Sequence, residues 1–175
     1  MRIIAGSRKG ARIFAPKGLD TRPTRDRVRE AAFNLIGPVD EAAVLDLFAG
    51  SGAMGLEALS RGAASAVFVE SDREACRAIE RNLAKLGLTG ATVLCRDAFQ
   101  VLIAESRTYD LVLCDPPYGF EGNARLAGYL KRVLAPNGLL VYETGAKEQP
   151  ELEGLQVRTS RTYGSARLTL FGHEP

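Results

Sequence analysis

The chain has 175 residues, of which 46% are hydrophobic and 25% charged, the proportions of an ordinary globular domain rather than a disordered protein. No stretch approaches the roughly 18 apolar residues of a membrane span, and the first residues are basic rather than apolar, so we expect a cytoplasmic protein. The cysteines Cys76, Cys95 and Cys114 form no paired motif, which argues against a disulfide framework or a zinc site and predicts buried thiols.

The formal charge of the chain is +2, but this charge is unevenly distributed. Residues 1–30 carry nine Arg and Lys against three acids, a local balance of +6, whereas the remaining 145 residues carry 14 basic and 18 acidic side chains. A basic segment on a mildly acidic domain favours a polyanionic partner such as nucleic acid. A solvated charged face has a similar composition, so charge alone does not identify the partner.

Residues 1–40 predict a small basic extension that packs on the domain formed by residues 41–175. β-prone segments lie around 2–4 and 11–14, and a helix is predicted over roughly 25–36 with Thr24 as its N-cap. The apolar side of this helix would face the domain, while Arg25 and Arg29, four residues apart, share another face.

From residue 43, short β-rich segments alternate with amphipathic stretches, the pattern of a parallel sheet with helices on both faces. Seven strands are predicted, at 44–48, 66–70, 92–95, 111–114, 138–143, 156–159 and 167–171. Helices are predicted at 55–60, 98–105 and 123–134, and a longer one begins at a capping box of Ser71 and Glu74 and ends at Gly87. Only about seven residues separate the last two strands, so these should form an antiparallel hairpin. The predicted fold is therefore α/β, with a mostly parallel seven-stranded sheet.

Residues 46–55 combine a strand end, a glycine-rich turn and a helix start. Gly50, Gly52 and Gly55 form the pattern G-x-G-x-x-G, in which small residues let the backbone approach a ligand and free amides favour polar or anionic atoms. This pattern is typical of nucleotide cofactors, including nicotinamide dinucleotides, and it also occurs as a tight turn without a ligand. The loop therefore predicts a cofactor site without choosing the cofactor.

Two further acids follow predicted strands. Glu70 ends the second strand, where a carboxylate can take both hydroxyls of a ribose; pairing with the following helix is the alternative. Asp97 follows the third strand, positioned for the exocyclic amine of an adenine, and Ala98 would leave room for the ring. A plain helix cap explains Asp97 almost as well. Together with Asp46, these acids fall at the carboxyl ends of strands, where ligands of open α/β sheets bind.

The most specific motif is Asp115-Pro116-Pro117-Tyr118, directly after the fourth strand. Successive prolines lack amide donors, so the Pro116 carbonyl would point into the cleft as a free acceptor beside the Asp115 carboxylate. Two acceptors suit an NH2 group on an aromatic ring, because holding both hydrogens localises the nitrogen lone pair for attack. Tyr118 would stack on the ring and hold it in line, so these four residues predict direct group transfer to an exocyclic amine. A rigid turn without a function is the alternative.

These motifs, taken together, resemble those of a known family. Their order is similar to that of the Rossmann-like S-adenosylmethionine methyltransferases that act on amino groups. More narrowly, the chain resembles the RsmD family, which methylates the 2-amino group of a guanine in small-subunit (16S) ribosomal RNA. The resemblance rests on RIIAG at residues 2–6, RPT at 22–24, RVRE at 27–30, FN at 33–34, DLFAGSG at 46–52 and YG at 163–164.

The resemblance implies a cofactor, partners and site residues. It implies S-adenosylmethionine, no metal, a cytoplasmic location, and ribosomal RNA bound with small-subunit ribosomal proteins on an assembly intermediate; a monomer is expected. The residues that contact the cofactor would be Asp46, Phe48, Ala49, Gly50, Ser51, Gly52, Glu70, Ser71, Asp97 and Ala98. The basic extension would meet RNA through Arg8, Lys9, Arg22, Arg25, Arg27 and Arg29.

Several alternatives stay open on the residues alone. A nicotinamide-dependent oxidoreductase would share the glycine loop and Glu70 but leave residues 115–118 without a use, and a noncatalytic RNA-binding assembly factor would not need that motif. An adenine, cytosine or glutamine amine fits the acceptor pair as well as guanine does. The segment 119–122 offers little to select a base, so base selection has no predicted location. Cys114 is expected in the core and His173 in an exposed tail, and neither is assigned a role.

Overall fold

The computed structural model describes residues 1–16 and 23–175, where helices and strands alternate as the sequence predicts. The helices are α1 (Pro23–Ile36), α2 (Ala53–Ser60), α3 (Arg73–Leu86), α4 (Ala98–Ala104) and α5 (Asn123–Val133). The strands are β1 (Ala43–Leu47), β2 (Ser65–Glu70), β3 (Ala91–Cys95), β4 (Tyr109–Cys114), β5 (Leu134–Gly145), β6 (Leu155–Tyr163) and β7 (Ala166–His173). None of the helices in these ranges is long and apolar enough to cross a membrane.

The seven strands form one mixed sheet in the order β3-β2-β1-β4-β5-β7-β6. β1 to β5 run parallel to one another and are joined by crossover helices, whereas β7 pairs antiparallel with both β5 and β6. The short link between β6 and β7 imposes this pairing, because a parallel return needs a crossover of a dozen or more residues. The predicted fold class and the C-terminal hairpin are confirmed.

Alternating side chains along the strands supply an apolar layer on each face of the sheet. On β1, Val44 packs in the layer that α1, α2 and α3 cover, whereas Leu45 and Leu47 belong to the layer covered by α4 and α5. Because successive strand side chains point to opposite faces, Asp46 lies on the same face as Val44. The charged residue of this strand is therefore buried under α2 rather than exposed to solvent.

A buried acid of α2 anchors the N-terminal extension. Glu57 is fully buried, and its two oxygens accept the backbone N–H groups of Ile4 at 2.8 Å and Ala5 at 2.9 Å. The same carboxylate pairs with the guanidinium groups of Arg29 and Arg61. Removing one partner of a buried, fully bonded charge cluster costs several kcal/mol, typically about 3–5. Specific polar contacts therefore hold the first residues of the chain and α1 against α2.

The helix starts differ from the predictions in three places. α2 begins at Ala53, two residues before its predicted start. α1 begins at Pro23, which puts Thr24 inside the first turn rather than at the N-cap. α3 is capped by Asp72, whose carboxylate accepts the Ala75 N–H at 2.8 Å, whereas Ser71 lies one residue too early to reach that group. At the other end of α3, Gly87 has the predicted left-handed backbone.

Three predictions about the second half of the chain are also corrected. Cys95 is exposed rather than buried, because β3 is an edge strand and the cysteine is its last residue. His173 is not a tail residue: it closes β7, and its Nε2 lies 2.9 Å from the Leu134 carbonyl. β5 begins four residues before its predicted start and contains Pro136, which is tolerated because only residues 140–145 of β5 pair with β7.

Candidate active site

Four acidic side chains lie at the carboxyl ends of four adjacent strands. Asp46 is the next-to-last residue of β1, Glu70 ends β2, Asp97 follows β3, and Asp115 follows β4. The strand order β3-β2-β1-β4 places these strand ends side by side. The structure thus brings together, at the edge where such sheets bind ligands, acids that lie far apart in sequence.

Two of these acids hold the glycine loop. The Asp46 carboxylate is 4% exposed and accepts the Gly55 N–H at 2.9 Å, which fixes the first turn of α2. On the other side of the loop, Glu70 Oε2 accepts the Gly50 N–H at 2.7 Å. Gly50 and Gly52 have positive φ angles of 55° and 75°, which glycine adopts without strain. The loop is therefore shaped by its own acids.

The surroundings of Asp46 favour the protonated, neutral form of its carboxyl group. The pKa of this carboxyl is raised to about 8, chiefly by burial and also by the charges of Asp115 and Glu70, against the opposing hydrogen bond from the Gly55 N–H. A group with this pKa is largely neutral at pH 7. The geometry shows that Asp46 supports the loop, whereas its direct contact with a cofactor stays a prediction.

Glu70 combines a structural contact with an accessible position. Its Oε1 accepts the Asp72 N–H at 2.9 Å, so both oxygens already hold backbone amides, and the side chain is half-buried at the open edge. A carboxylate oxygen has a second lone pair, which leaves acceptor capacity for ribose hydroxyls. The arrangement is compatible with the predicted ribose contact.

Asp97 is the N-cap of α4. Its Oδ1 accepts the N–H groups of Phe99 at 2.9 Å and Gln100 at 3.2 Å, so the helix-cap alternative is observed. The side chain is exposed, and its Oδ2 has no hydrogen-bond partner within the described part of the chain. Ala98 beside it is buried. The predicted contact with an adenine amine is therefore compatible with the cap but is not shown by it.

An aromatic wall, which sequence reasoning missed, lies next to these acids. Phe120 contacts Phe48 edge-on with ring centroids 5.5 Å apart and stacks on Phe99 at 6.1 Å. Tyr129 packs on the other edge of Phe99. Phe48 follows β1, Phe99 lies in the first turn of α4, and Phe120 follows the turn after β4. All three positions lie at the carboxyl edge of the sheet, and this shared position could have indicated the wall from the sequence. The wall gives the segment after Tyr118 an apolar role that its sequence did not suggest.

Residues 115–118 leave the sheet at the open end of the cleft. Tyr118 is 96% exposed, so its ring face is free for stacking. The turn is closed by the Phe120 N–H, which donates to the Pro117 carbonyl at 3.1 Å. Asp115 keeps contact with water, yet the protein atoms around it raise the pKa of its carboxyl to about 6, and Arg25 on α1 opposes this rise. Asp115 is therefore mainly a carboxylate at neutral pH.

A fifth acid, Glu143, lies beside Asp115 and was also missed. Cys114 on β4 pairs with Tyr142 on β5, so Asp115 and Glu143 are the next residues of two neighbouring parallel strands. The pKa of Glu143 is raised to about 8, chiefly by burial and also by the charge of Asp115, against the opposing charge of Arg25. The available signal was an acid at the carboxyl end of a fifth predicted strand.

The acidic side chains at this edge suit a positively charged nucleoside derivative better than a dinucleotide. Glu70 and Asp97 offer acceptors for hydroxyl and amine hydrogens, and the excess of carboxyl groups disfavours the phosphates of a dinucleotide. The loop passes close to the core, since a Cβ at Gly52 would lie 2.8 Å from the Ile79 side chain. Within residues 1–16 and 23–175, no group of three His, Cys, Asp or Glu side chains could hold a metal ion.

One cation predicted to meet RNA is buried instead. Arg29 is 3% exposed, and its guanidinium bonds to Asp26 at 3.1 Å, to Glu57 at 3.4 Å and to the Arg2 carbonyl. These partners satisfy its charge inside the protein, so the prediction of an RNA contact is wrong for this residue. The helical spacing that grouped Arg29 with Arg25 could not show that α2 carries a buried acid opposite it.

The other cations of the extension differ in accessibility. Arg8 is half-buried and donates to the Leu86 and Gly87 carbonyls, where a cation stabilises the C-terminus of α3. Lys9, Arg25 and Arg27 are exposed and free to contact a polyanion. Arg22 lies outside the described residues.

A second basic surface runs along α3. Four exposed cations spaced four residues apart share one face of the helix over about 18 Å, and we call them the α3 basic row: Arg73, Arg77, Arg81 and Lys85. Phe14 packs beneath two of them, with its ring centre 4.4 Å from the guanidinium carbon of Arg81 and 4.7 Å from Lys85 Nζ. Asn82 holds the Phe14 backbone with two hydrogen bonds. Charge counted by segment missed this row, although its spacing was visible.

Comparisons with known proteins identify a family to which the chain is similar. A family model described as Conserved hypothetical protein 95 matches residues 1–172. The Bacillus subtilis (strain 168) protein YlbH is 39% identical over 98% of this chain and 98% of its own length. The Ribosomal RNA small subunit methyltransferase D of Escherichia coli (strain K12) is 44% identical over 67% of this chain and 60% of its own length. The solved structure of Escherichia coli yhhF superposes with a TM-score of 0.89 at 32% identity, covering 100% of this chain and 98% of that chain.

Proposed function

We propose that this chain methylates the 2-amino group of a guanine in small-subunit ribosomal RNA, with S-adenosylmethionine as the donor. The chain belongs to the RsmD family of ribosomal RNA methyltransferases. One observation carries this proposal. The turn at 115–118, with the exposed ring of Tyr118, lies at the same sheet edge as the glycine loop, where Asp115 and the Pro116 carbonyl would offer two acceptors to an amine.

The cofactor would be held on the glycine-loop side of this edge. When bound, S-adenosylmethionine supplies a methyl carbon on a positively charged sulfur, which the amine nitrogen attacks as the carbon–sulfur bond breaks. Glu70 would hold the ribose and Asp97 the adenine amine. The remaining predicted contacts come from the loop and the adjacent helix starts, at Phe48, Ala49, Gly50, Ser51, Gly52, Ser71 and Ala98. The acidic surroundings favour a ligand that carries positive charge.

The chain activates the amine through hydrogen bonding. Asp115 accepts one N–H and the Pro116 carbonyl the other, so the lone pair is directed toward the methyl carbon rather than into the ring. With a pKa of about 6, Asp115 is also able to receive the proton that nitrogen releases after the new bond forms. Stacking on Tyr118 holds the base in line and contributes about 1–3 kcal/mol.

The target base must leave its helix to reach this turn. Extruding a paired base costs a few kcal/mol, which Tyr118 stacking and phosphate contacts elsewhere help to offset. Two basic surfaces are available for the phosphates: the exposed cations Lys9, Arg25 and Arg27 of the extension, and the α3 basic row. Both lie on the α1–α3 side of the sheet, so one RNA can contact them together.

The proposal also covers the setting of the reaction. An RNA target inside the small subunit implies a cytoplasmic enzyme that acts on an assembly intermediate, where ribosomal proteins shape the RNA. The chain would act as a monomer, since the acceptor pair, the glycine loop and the basic surfaces belong to one copy.

The test uses small-subunit particles from cells that lack this protein. Purified protein and S-adenosylmethionine with a labelled methyl group should transfer label to the RNA, and mass mapping should place it on the 2-amino group of one guanine. Transfer to an adenine or cytosine amine would refute the base assignment. Binding of the particles without transfer would indicate an assembly factor, and titration with a nicotinamide cofactor tests the oxidoreductase alternative directly.

A further inference from the structure

We infer that Glu143 selects guanine by accepting the N1–H of the target base, an inference that rests on the proposed function. Asp115 and Pro116 account for the two hydrogens of the amine, and adenine and cytosine amines carry the same two hydrogens. Adenine and cytosine present only a lone pair on the ring nitrogen beside the amine, whereas guanine presents the N1–H. An acceptor next to Asp115 would therefore bind guanine and repel the other two bases.

Strand register places Glu143 at the required position. Leu113 on β4 pairs with Val141 on β5, and both side chains lie in the apolar layer under α1–α3. The register ends at Cys114 and Tyr142, so Asp115 follows the end of β4 at the level of Glu143 on β5, and the charge of Asp115 acts on the Glu143 carboxyl. Guanine has the matching arrangement, since its N1–H lies directly beside its 2-amino group.

Arg25 is a cation whose charge reaches both acids. It is exposed in the first turns of α1, and its charge lowers the pKa of both Asp115 and Glu143. Burial and the charge of Asp115 favour the protonated form of Glu143, whereas Arg25 and a guanine N1–H favour the carboxylate form that accepts this N–H. A guanidinium on this side can also donate to the O6 atom of guanine. Base selection, which the segment after Tyr118 did not explain, thus has a location on β5.

The test combines substitutions in the protein and in the base. The methylated position is mapped first, and particles are reconstituted on ribosomal RNA ligated from two segments, so that this position carries guanine or 2-aminopurine. 2-Aminopurine keeps the 2-amino group but lacks both the N1–H and O6. Single-turnover methyl transfer is measured for the wild type, Glu143→Leu and Glu143→Gln. Glu151→Gln, at an exposed acid beyond β5, is the control, and melting temperature and cofactor affinity are measured for every protein.

The wild type and Glu151→Gln should favour guanine by at least about tenfold, because a site that pairs a substrate N–H is left unsatisfied by an analogue that lacks it. Glu143→Leu should lose most of this preference through a slower rate on guanine, with the rate on 2-aminopurine changed less than threefold. Glu143→Gln should keep the rate on guanine within about tenfold and gain on 2-aminopurine, because the amide can either accept or donate.

Two results would overturn the inference. One is an equal loss of rate on both bases in Glu143→Leu, which would indicate a structural role, and the other is a wild-type preference retained in both variants. If Glu143→Leu melts at a much lower temperature, the ratio measured with the isosteric Glu143→Gln decides. A wild-type protein that fails to methylate guanine particles refutes the proposed function instead, so the two failures are distinguishable.

Discussion

Replacing Asp115 by alanine should separate methyl transfer from cofactor binding. The carboxylate lies at the end of β4, on the acceptor side of the cleft, while the predicted ribose acid Glu70 lies two strands away. The substitution removes one of two acceptors for the amine, and a hydrogen bond to a charged group contributes about 1.5–3 kcal/mol. This bond acts where charge develops at nitrogen, as a hydrogen-bond donor does in an oxyanion hole. Since removal of one oxyanion-hole donor lowers turnover about 10²–10³-fold, we expect a fall of about the same size.

Cofactor affinity should change much less. Asp115 would act on a bound cation only through its charge across a solvent-exposed edge, which corresponds to an effect of about 1 kcal/mol or below. Single-turnover transfer to small-subunit particles measures the first quantity, and calorimetric titration with S-adenosylmethionine measures the second. Glu153→Ala is the control, since Glu153 is an exposed acid ahead of β6, away from the carboxyl edge of the sheet. An equal loss of both quantities in Asp115→Ala would contradict the assigned role.

The same residue predicts the acid limb of the pH profile. Asp115 accepts an N–H only as a carboxylate, and its pKa is about 6. The rate of the wild type should therefore fall about tenfold per pH unit well below pH 6. Asp115→Ala has no carboxyl to titrate, so its residual rate should not fall in this range. An identical acid limb in the variant would assign the titration to another group.

The remaining predictions concern the glycine loop and the basic surface. Glu70→Ala should weaken S-adenosylmethionine binding by about tenfold or more, from the loss of hydrogen bonds to a charged acceptor, and an unchanged calorimetric affinity would move the ribose site elsewhere. Asp46 has a pKa of about 8, so between its ordinary pKa and pH 8 the folded protein holds a proton that the unfolded chain has lost. The free energy of unfolding must then fall as pH rises from 5 to 8, by at most about 1.4 kcal/mol per pH unit from this group. Asp46→Asn keeps the Gly55 hydrogen bond, and its free energy of unfolding, measured with urea, should fall less over this range. An equal fall with pH in both proteins would refute the assignment. The combined variant Arg77→Gln, Arg81→Gln and Lys85→Gln neutralises three cations of the α3 basic row. It should reduce the slope of log K for RNA binding against log salt concentration by up to roughly two units. The control, Arg158→Gln with Arg161→Gln on β6, should leave this slope unchanged.

Local motifs were predictable because they depend on a few neighbouring residues. The glycine loop, the acids that end β2 and β4, and the turn at 115–118 follow from backbone geometry within each segment. The antiparallel hairpin followed from loop length alone. The N-cap of α3 was misplaced by one residue, because serine and aspartate have similar preferences and only the position of the Ala75 N–H distinguishes them.

Contacts between distant segments were not predictable in this way. Arg29 looked like a surface cation because its helical face is basic, and only the packing of α1 on α2 brings the buried Glu57 against it. The α3 basic row became one surface with the extension only when Asn82 fixed Phe14 across the helix. In each case the deciding partner lies on another element, and no periodicity within one segment contains that information.

The sequence by itself determined the order of helices and strands, the glycine loop and the turn at 115–118. Hydrophobic periodicity, glycine and proline decide these features because they act on the backbone within one segment. Only the tertiary structure decided which charges are buried, which are exposed, and which acid stands beside Asp115. The physical reason is that burial and cross-strand neighbours depend on register. The pairing of Leu113 with Val141 sets Glu143 next to Asp115, although the two acids lie on different strands separated by a helix.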